Sequence, residues 1–282
     1  MTSFDAKRYK ETTREQWQSA AEAWNRWEPT IARWVGPATE QLIDMMRVKP
    51  GDAVLDVAAG SGSQSLLLAA RVGVKGRVVA TDISSNILEF ARANARAAGF
   101  SNVETSVVDG EELAVDDSTF DAVMCRLGLM YFPDRDRALT AMRRALRPGG
   151  RVGAMVFTTP ERNQFFSIPI SVIRRHAGLP APAPGQPGPF SLGSGLLEKA
   201  LATAGLREIE SRIATAPLRL ASAAQFLQFE KESFGALHQM LAGLAQAQKD
   251  AAWAEIEREF RAFERDGVCE LSSEVIIATG MR

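Results

Sequence analysis

The most constraining stretch of this chain is Val54-Leu55-Asp56-Val57-Ala58-Ala59-Gly60-Ser61-Gly62-Ser63, where an apolar run meets an acid and then two glycines one residue apart. Beyond Ser63 the spacing turns helical, with Leu66, Leu67, Ala69 and Ala70. That pattern specifies a buried strand, a tight turn and the N-terminus of a helix. Gly60 and Gly62 permit positive φ and let a ligand approach the main chain, and the first free N–H groups of the helix face the same ligand. A dinucleotide fingerprint would need a third glycine where Ser65 stands, and a P-loop would need a lysine before a hydroxyl residue; neither is present. What remains is a carboxylate beside a glycine turn, which disfavours a pyrophosphate and suits a cationic ligand.

The same theme recurs downstream. Strands are expected at residues 77–82, 103–108, 120–125 and 151–157, and helices at 63–72, 85–98 and 134–146, with Ser84 as an N-cap and Gly99 as a terminator. Strand and helix alternate through short loops, which implies right-handed βαβ units and a parallel sheet. Ligands in such folds sit at the carboxyl ends of the strands, near the switch in strand order. Asp56 and Gly60, Asp82, Asp109, and Arg126-Leu127 all fall at those ends.

Asp56-Val57-Ala58-Ala59-Gly60-Ser61-Gly62 resembles the first motif of the class I S-adenosylmethionine-dependent methyltransferases. The stretches Ala80-Thr81-Asp82-Ile83-Ser84, Asp109-Gly110-Glu111-Glu112-Leu113, Ser118-Thr119-Phe120-Asp121-Ala122-Val123 and Leu146-Arg147-Pro148-Gly149-Gly150 extend the likeness over residues 50–157. They are similar to a methyltransferase domain of the ubiquinone- and menaquinone-biosynthesis type. The resemblance implies an α/β fold with a doubly wound, mainly parallel seven-stranded sheet, an N-terminal helical lid and a helical cap. It implies S-adenosyl-L-methionine as cofactor and a last strand antiparallel beside strand six, which is expected at Arg207 to Ala214. Asp56, Ala58, Ala59, Gly60 and Gly62 would form the cofactor loop, with Arg126 nearby. Asp82 would accept from the ribose hydroxyls, Asp109 from the adenine amino group, and the Gly110 N–H would donate to a ring nitrogen. Ile83 and Leu127 would bracket the adenine plane. Gly149-Gly150 is read as a structural turn. One departure stands out: the quinone enzymes carry Phe-Gly-x-Arg-Asn after strand four, and here the segment is Leu127-Gly128-Leu129-Met130-Tyr131-Phe132-Pro133. The substrate is therefore not carried over from the resemblance.

The remainder of the chain reads as arm and cap. Residues 11–46 place Trp17, Trp24 and Ile31, and Trp27 and Trp34, at seven-residue steps, one face of an amphipathic helix. Pro29 is expected to interrupt it, and Gly36-Pro37 to start a second helix. The tryptophans dock the arm on the main domain, close over cofactor and substrate, or do both. Residues 158–192 hold an apolar segment and then a Pro/Gly-rich loop; residues 222–264 read as helical, and Glu270 to Thr279 as the final strand. The chain accordingly divides into an arm at 1–47, a cofactor-binding core at 48–158, a cap segment at 159–193, a core completion at 194–221, a helical cap insertion at 222–265 and the last strand at 266–282. Trp24, Trp27, Met130 and Tyr131 are candidates for contact with substrate, and His176 and Tyr131 for acid–base work.

Composition narrows the class. An apolar fraction of 46% supports a sizeable core, and a net charge of −1 carries no nucleic-acid footprint. Cys125 and Cys269 alone form no disulfide framework or zinc set, and no metal is expected. No apolar run approaches a membrane span and residues 1–10 are polar, so a cytoplasmic protein acting on a small molecule is expected. The sequence leaves open a homodimer, a catalytically silent cofactor-binding protein and, against the missing third glycine, an NAD-type oxidoreductase.

Overall fold

The computed structural model describes residues 4–183, 185–193 and 195–282. Met1 to Ser3 of the polar N-terminus, Pro184 of the Pro-rich loop and Ser194, at the expected start of the core completion, lie outside the described residues.

Two helices, α1 (Ala6–Arg26) and α2 (Glu28–Met45), precede the alternating core. The core runs β1 (Ala53–Val57), α3 (Ser63–Val72), β2 (Arg77–Asp82), α4 (Ser85–Ala97), β3 (Val103–Val107), β4 (Phe120–Arg126), α5 (Arg135–Ala145) and β5 (Leu146–Phe157). Then follow α6 (Gln164–Ala177), α7 (Leu196–Thr203), β6 (Arg207–Thr215), β7 (Leu218–Leu220), α8 (Ala223–Ser233), α9 (Gly235–Leu241), α10 (Gln246–Arg261), β8 (Glu264–Arg265), β9 (Val268–Leu271) and β10 (Glu274–Met281). Seven strands form one sheet in the order β3-β2-β1-β4-β5-β10-β6. β1 pairs in parallel with β2 and β4, so Leu55 lies between Val79 and Val123, while β10 runs antiparallel between β5 and β6. The strand order reverses at β1 and β4, and the crevice at their carboxyl ends is where such a sheet receives a ligand.

Three expectations need correction. Pro29 does not break the arm; it sits in the first turn of α2, where a missing N–H costs nothing, and the break falls at Trp27. Gly36-Pro37 starts no new helix, because α2 runs through it. An interior proline costs about 3 kcal/mol, but Ile31, Trp34, Val35, Ala38, Leu42 and Ile43 are all buried on α2, and that burial outweighs it. The last strand does not begin at Glu270. Leu271 pairs with Leu218 in a separate three-stranded sheet, β7-β9-β8. Asn163 Oδ1 then accepts from Ser273 Oγ (3.1 Å) and the Glu274 N–H (2.9 Å), and the chain changes sheet there.

The Arg147-to-Gly150 turn interrupts β5 rather than preceding it: Phe120 pairs with Leu146, but Ala122 already faces Arg151. Above the sheet an aromatic cluster joins arm and cap. Trp34 is 4% exposed, its ring is stacked on Phe157 with centroids 5.7 Å apart, and its Nε1 donates to the Ala216 carbonyl at 2.8 Å. Phe165 continues the cluster to Phe226 and Phe229 of α8. Trp34→Ala is expected to destabilise the protein by about 3–5 kcal/mol, the range for emptying a large aromatic site. Urea unfolding checks this; a loss below about 1 kcal/mol would show that α2 is held by something else.

Candidate active site

The geometry starts at the carboxyl end of β1. Ala58, Gly60 and Gly62 all take positive φ (58°, 58° and 92°), so the chain doubles back three times before α3 begins. Leu127, just past β4, does the same at 57°. A left-handed Ala or Leu is strained by a kcal/mol or more, and here neighbours hold both in place. The Leu127 N–H donates to Met155 O at 2.8 Å and the Ala59 N–H to Thr81 O at 2.9 Å. A side chain on Gly128 would place its Cβ 2.5 Å from that of Ala58, so the two turns interlock through a residue that must be glycine.

A cavity of about 1120 Å³, mouth included, opens over these turns. Of the residues singled out in the sequence, Ala58, Ala59, Gly60, Asp82, Ile83, Asp109, Gly110, Arg126 and Leu127 line it, as do Trp24, Met130 and Tyr131. Asp82 is held by the N–H groups of Gly60 (3.0 Å) and Ser84 (3.0 Å), so its carboxylate has a fixed orientation. Burial raises its pKa, and those N–H groups oppose the rise. Gly110 must be glycine, since a Cβ there would lie 2.6 Å from the Phe132 ring. Arg126 is 8% exposed and donates to the hydroxyls of Ser63 (2.8 Å) and Thr39 (3.4 Å). Burial lowers its pKa to about 10, with Asp56 and Glu28 opposing, so it remains a buried cation at neutral pH.

Four candidates are not where the sequence suggested. Asp56 is fully buried beneath the turn and outside the cavity lining; its carboxylate accepts from Ser65 Oγ at 2.5 Å and Gln64 Nε2 at 3.4 Å, which ties the start of α3 to β1. Gly62 also lies outside the lining, and its role is packing: a Cβ there would sit 3.0 Å from that of Ala91, so α4 approaches closely. Trp27 stacks on Phe229 (4.7 Å, 21°) and donates from Nε1 to Glu232 at 2.8 Å, which docks the arm on α8. His176 pairs with Glu255 at 2.6 Å away from the cavity and is no base for it.

The sequence missed part of α1. Tyr9, Lys10, Thr13 and Trp17 line the same cavity. Lys10 Nζ reaches Asp109 Oδ2 (2.7 Å) and Glu111 Oε2 (2.6 Å), so one oxygen expected to meet an adenine amino group is held by the arm. Burial works against the Lys10 charge, but the hydrogen bonds to Asp109 and Glu111 carry its pKa upward. Gln18 Oε1 accepts from Ser84 Oγ (2.7 Å) and the Asn86 N–H (2.9 Å) at the start of α4. Trp24 Nε1 would lie 3.3 Å from a Cβ on Gly60, directly over the turn. One lysine among the several charged residues of α1 carries no sequence signal for such a contact. Among the described residues no group of three or more His, Cys, Asp and Glu side chains could hold a metal ion, and no helix is long and apolar enough to cross a membrane.

Residues 37–171 match the ubiE/COQ5 methyltransferase family. The ubiquinone/menaquinone biosynthesis C-methyltransferase UbiE of Teredinibacter turnerae is 38% identical over 122 residues, which is 43% of this chain and 49% of that protein. The chain thus spans about half the length of the curated relatives it matches. Two solved structures share the fold. The phosphoethanolamine N-methyltransferase 2 of Haemonchus contortus, in complex with S-adenosyl-L-methionine, has a TM-score of 0.52 at 19% identity, over 86% of this chain and 52% of that one. The [4+2]-cyclase SpnF has a TM-score of 0.56 at 18% identity, over 94% of this chain and 96% of that one. Over residues 37–171, just under half of the chain, the core is thus similar to the ubiE/COQ5 methyltransferases, and the two solved structures share its fold.

Asp56 supplies a test of the turn. Burial raises its carboxyl to about 7, while Ser65, Arg126 and Gln64 oppose the rise. Its folded pKa lies above the ordinary value of 3.8, so the fold favours the protonated form. That contribution is complete below pH 3.8 and is lost as pH rises through about 7. Relative to the wild type, Asp56→Asn is expected to gain stability between pH 5 and pH 8, by about a few kcal/mol at most. Urea midpoints measured across that range check the sign; a stability difference that stays flat would contradict it.

Proposed function

We propose that this chain methylates an O, N or C atom of a small, largely apolar and aromatic molecule, with S-adenosyl-L-methionine as donor. One observation carries the reading: β1, β2 and β4 deliver a glycine turn, an oriented carboxylate and a buried guanidinium to a single cavity. That set fits the cofactor. Gly60 and Gly110 line the cavity with backbone alone, and Asp82 can accept a pair of vicinal hydroxyls. The hydrogen bonds of Arg126 go to two hydroxyl groups, which leaves its charge for a carboxylate. When bound, the cofactor supplies an electrophilic methyl group on a positively charged sulfur.

The chain's own residues position, enclose and dry the site. Asp82 and Arg126 hold opposite ends of the cofactor, and Ile83 and Leu127 offer apolar faces to its base. Trp24, Met130, Phe157, Phe166 and Phe234 supply apolar walls at the far end, which favours a water-poor pocket. Holding two reactants in line there is worth several kcal/mol of barrier. The name of the curated relative makes carbon the first acceptor atom to test. The altered segment from Leu127 to Pro133 argues for a different ring.

Calorimetric titration with S-adenosylhomocysteine, with NAD as control, tests the cofactor assignment. Asp82→Ala and Arg126→Met are each expected to weaken binding by about 1.5–3 kcal/mol, the range for a hydrogen bond to a charged group. Unchanged affinity in both variants, or NAD binding in place of the homocysteine compound, would sink the reading.

We further propose that α1 is a lid that must lift for the cofactor to exchange. Lys10 bridges Asp109 and Glu111 across the mouth, and Gln18 holds the start of α4. Breaking the bridge with Lys10→Met is expected to raise the dissociation rate of S-adenosylhomocysteine several-fold in stopped-flow fluorescence from Trp17 and Trp24. An unchanged rate would mean that α1 is a fixed wall.

A further inference from the structure

The seven-stranded sheet ends on two edge strands, β3 and β6, and β6 carries a side-chain pattern that its contacts within the chain do not use. β6 pairs with β10 on one side, and among the described residues no strand pairs with it on the other. An edge strand presents a row of main-chain N–H and C=O groups ready to pair with another chain, and charged side chains commonly keep such chains away. On β6 the segment reads Ile209-Glu210-Ser211-Arg212-Ile213. Its chemistry is arranged symmetrically about Ser211: an acid and a base flank the serine, and an isoleucine stands outside each. Ile213 is 66% exposed, Glu210, Ser211 and Arg212 are exposed, and Ile209 is partly buried. A β-bulge closes the segment at its N-terminal side: Thr279 pairs with Glu210 but Met281 with Arg207, and Glu208 takes a φ of 48°.

We propose that β6 is a dimerisation edge, on which two copies of this chain pair antiparallel from Ile209 to Ile213 about a two-fold axis at Ser211. In that register Glu210 of one copy lies opposite Arg212 of the other, twice over, and Ile209 lies opposite Ile213 in the same way. Directly opposed residues on paired strands are close enough for their side chains to meet, and opposite charges there attract. The charges that would fend off an unrelated strand therefore draw in a second copy. The register is specified as well. Moving the axis to Glu210 or to Arg212 sets that residue against its own copy, and like charges directly opposite are destabilising. The other edge lacks this property. Val103-Glu104-Thr105-Ser106-Val107 of β3, paired in the same fashion, would set Glu104 against Ser106, and the Thr105 hydroxyl already accepts from Arg92 at 2.8 and 3.1 Å. Within the chain Glu210 meets only Arg47 as an ion pair, at 3.7 Å with both side chains exposed, a contact that contributes little. No residue of β6 lines the cavity, so the pairing leaves each copy's site open.

Sedimentation equilibrium on the full chain tests this, and exchanging the charges separates pairing from folding. The wild type is expected to dimerise at about micromolar concentration. Glu210→Arg and Arg212→Glu, each alone, should weaken the dimer at least about tenfold, because both cross-strand pairs become like-charged. Mixed together, these two variants face each other with opposite charges at both pairs, and the dimer should return. The variant carrying both changes should stay within about threefold of the wild type. Ile213→Lys should disrupt the dimer, and Val107→Lys on β3 should not. A single-chain mass for the wild type at about a hundredfold higher concentration would overturn the proposal. So would a dimer that both single variants keep, a mixture that stays dissociated, or loss of the dimer in Val107→Lys rather than in Ile213→Lys. Growth of open polymers would overturn it too, since β6 would then be meeting β3 rather than itself.

Discussion

β1 lies in the middle of the sheet, paired on both edges and buried on both faces, and it can leave only by turning sharply at its carboxyl end. That constraint organises the site. The turn is made with three left-handed residues, Ala58, Gly60 and Gly62, and Asp56 is bound underneath by Ser65 and Gln64. The same hydrogen bonds fix the start of α3, and α4 closes in against Gly62. Because Gly128 packs on Ala58, the end of β4 must turn with the end of β1. A cavity bounded by two interlocked backbone turns is preorganised before any ligand arrives, which is the property a positioning catalyst needs.

The second organising feature is aromatic. Trp34, Phe157, Phe165 and Phe166 form a cluster that extends through Phe229 and Phe234 to Trp24 and Trp27. It joins four distant pieces of chain: the arm, the end of β5, α6 and α8. Large rings contribute much buried area at little cost in side-chain freedom, so the cap is rigid where it meets the core. The polar contacts of Lys10 and Gln18 tie α1 instead to Asp109, Glu111 and the start of α4.

Fold likeness does not decide the reaction. A [4+2]-cyclase and an N-methyltransferase share this architecture at under 20% identity. The discriminating information lies in which side chains the strand ends and the cap bring together. At this cavity the strand ends contribute Asp82 and Arg126, and the arm contributes Lys10.

The sequence alone determined the alternating core, its parallel strands and the strand ends that converge on a ligand, because these rest on local periodicity and on turn residues a few positions apart. The seven strands and the antiparallel member followed from the resemblance to a methyltransferase domain. Asp82, Gly60 and Arg126 were legible because strand ends converge in any sheet of this order. Tertiary structure decided the rest. It separated Asp56 and Gly62, which shape the turn from beneath, from residues that face the cavity, a difference of a few ångströms within one motif. It carried α2 through Pro37, because burial of one face outweighed a backbone penalty. It turned Trp27 and His176 away from the site and brought Lys10 to Asp109. Those placements depend on contacts between residues 79 to 205 positions apart, and no periodicity in the chain encodes which distant partner a given lysine will meet.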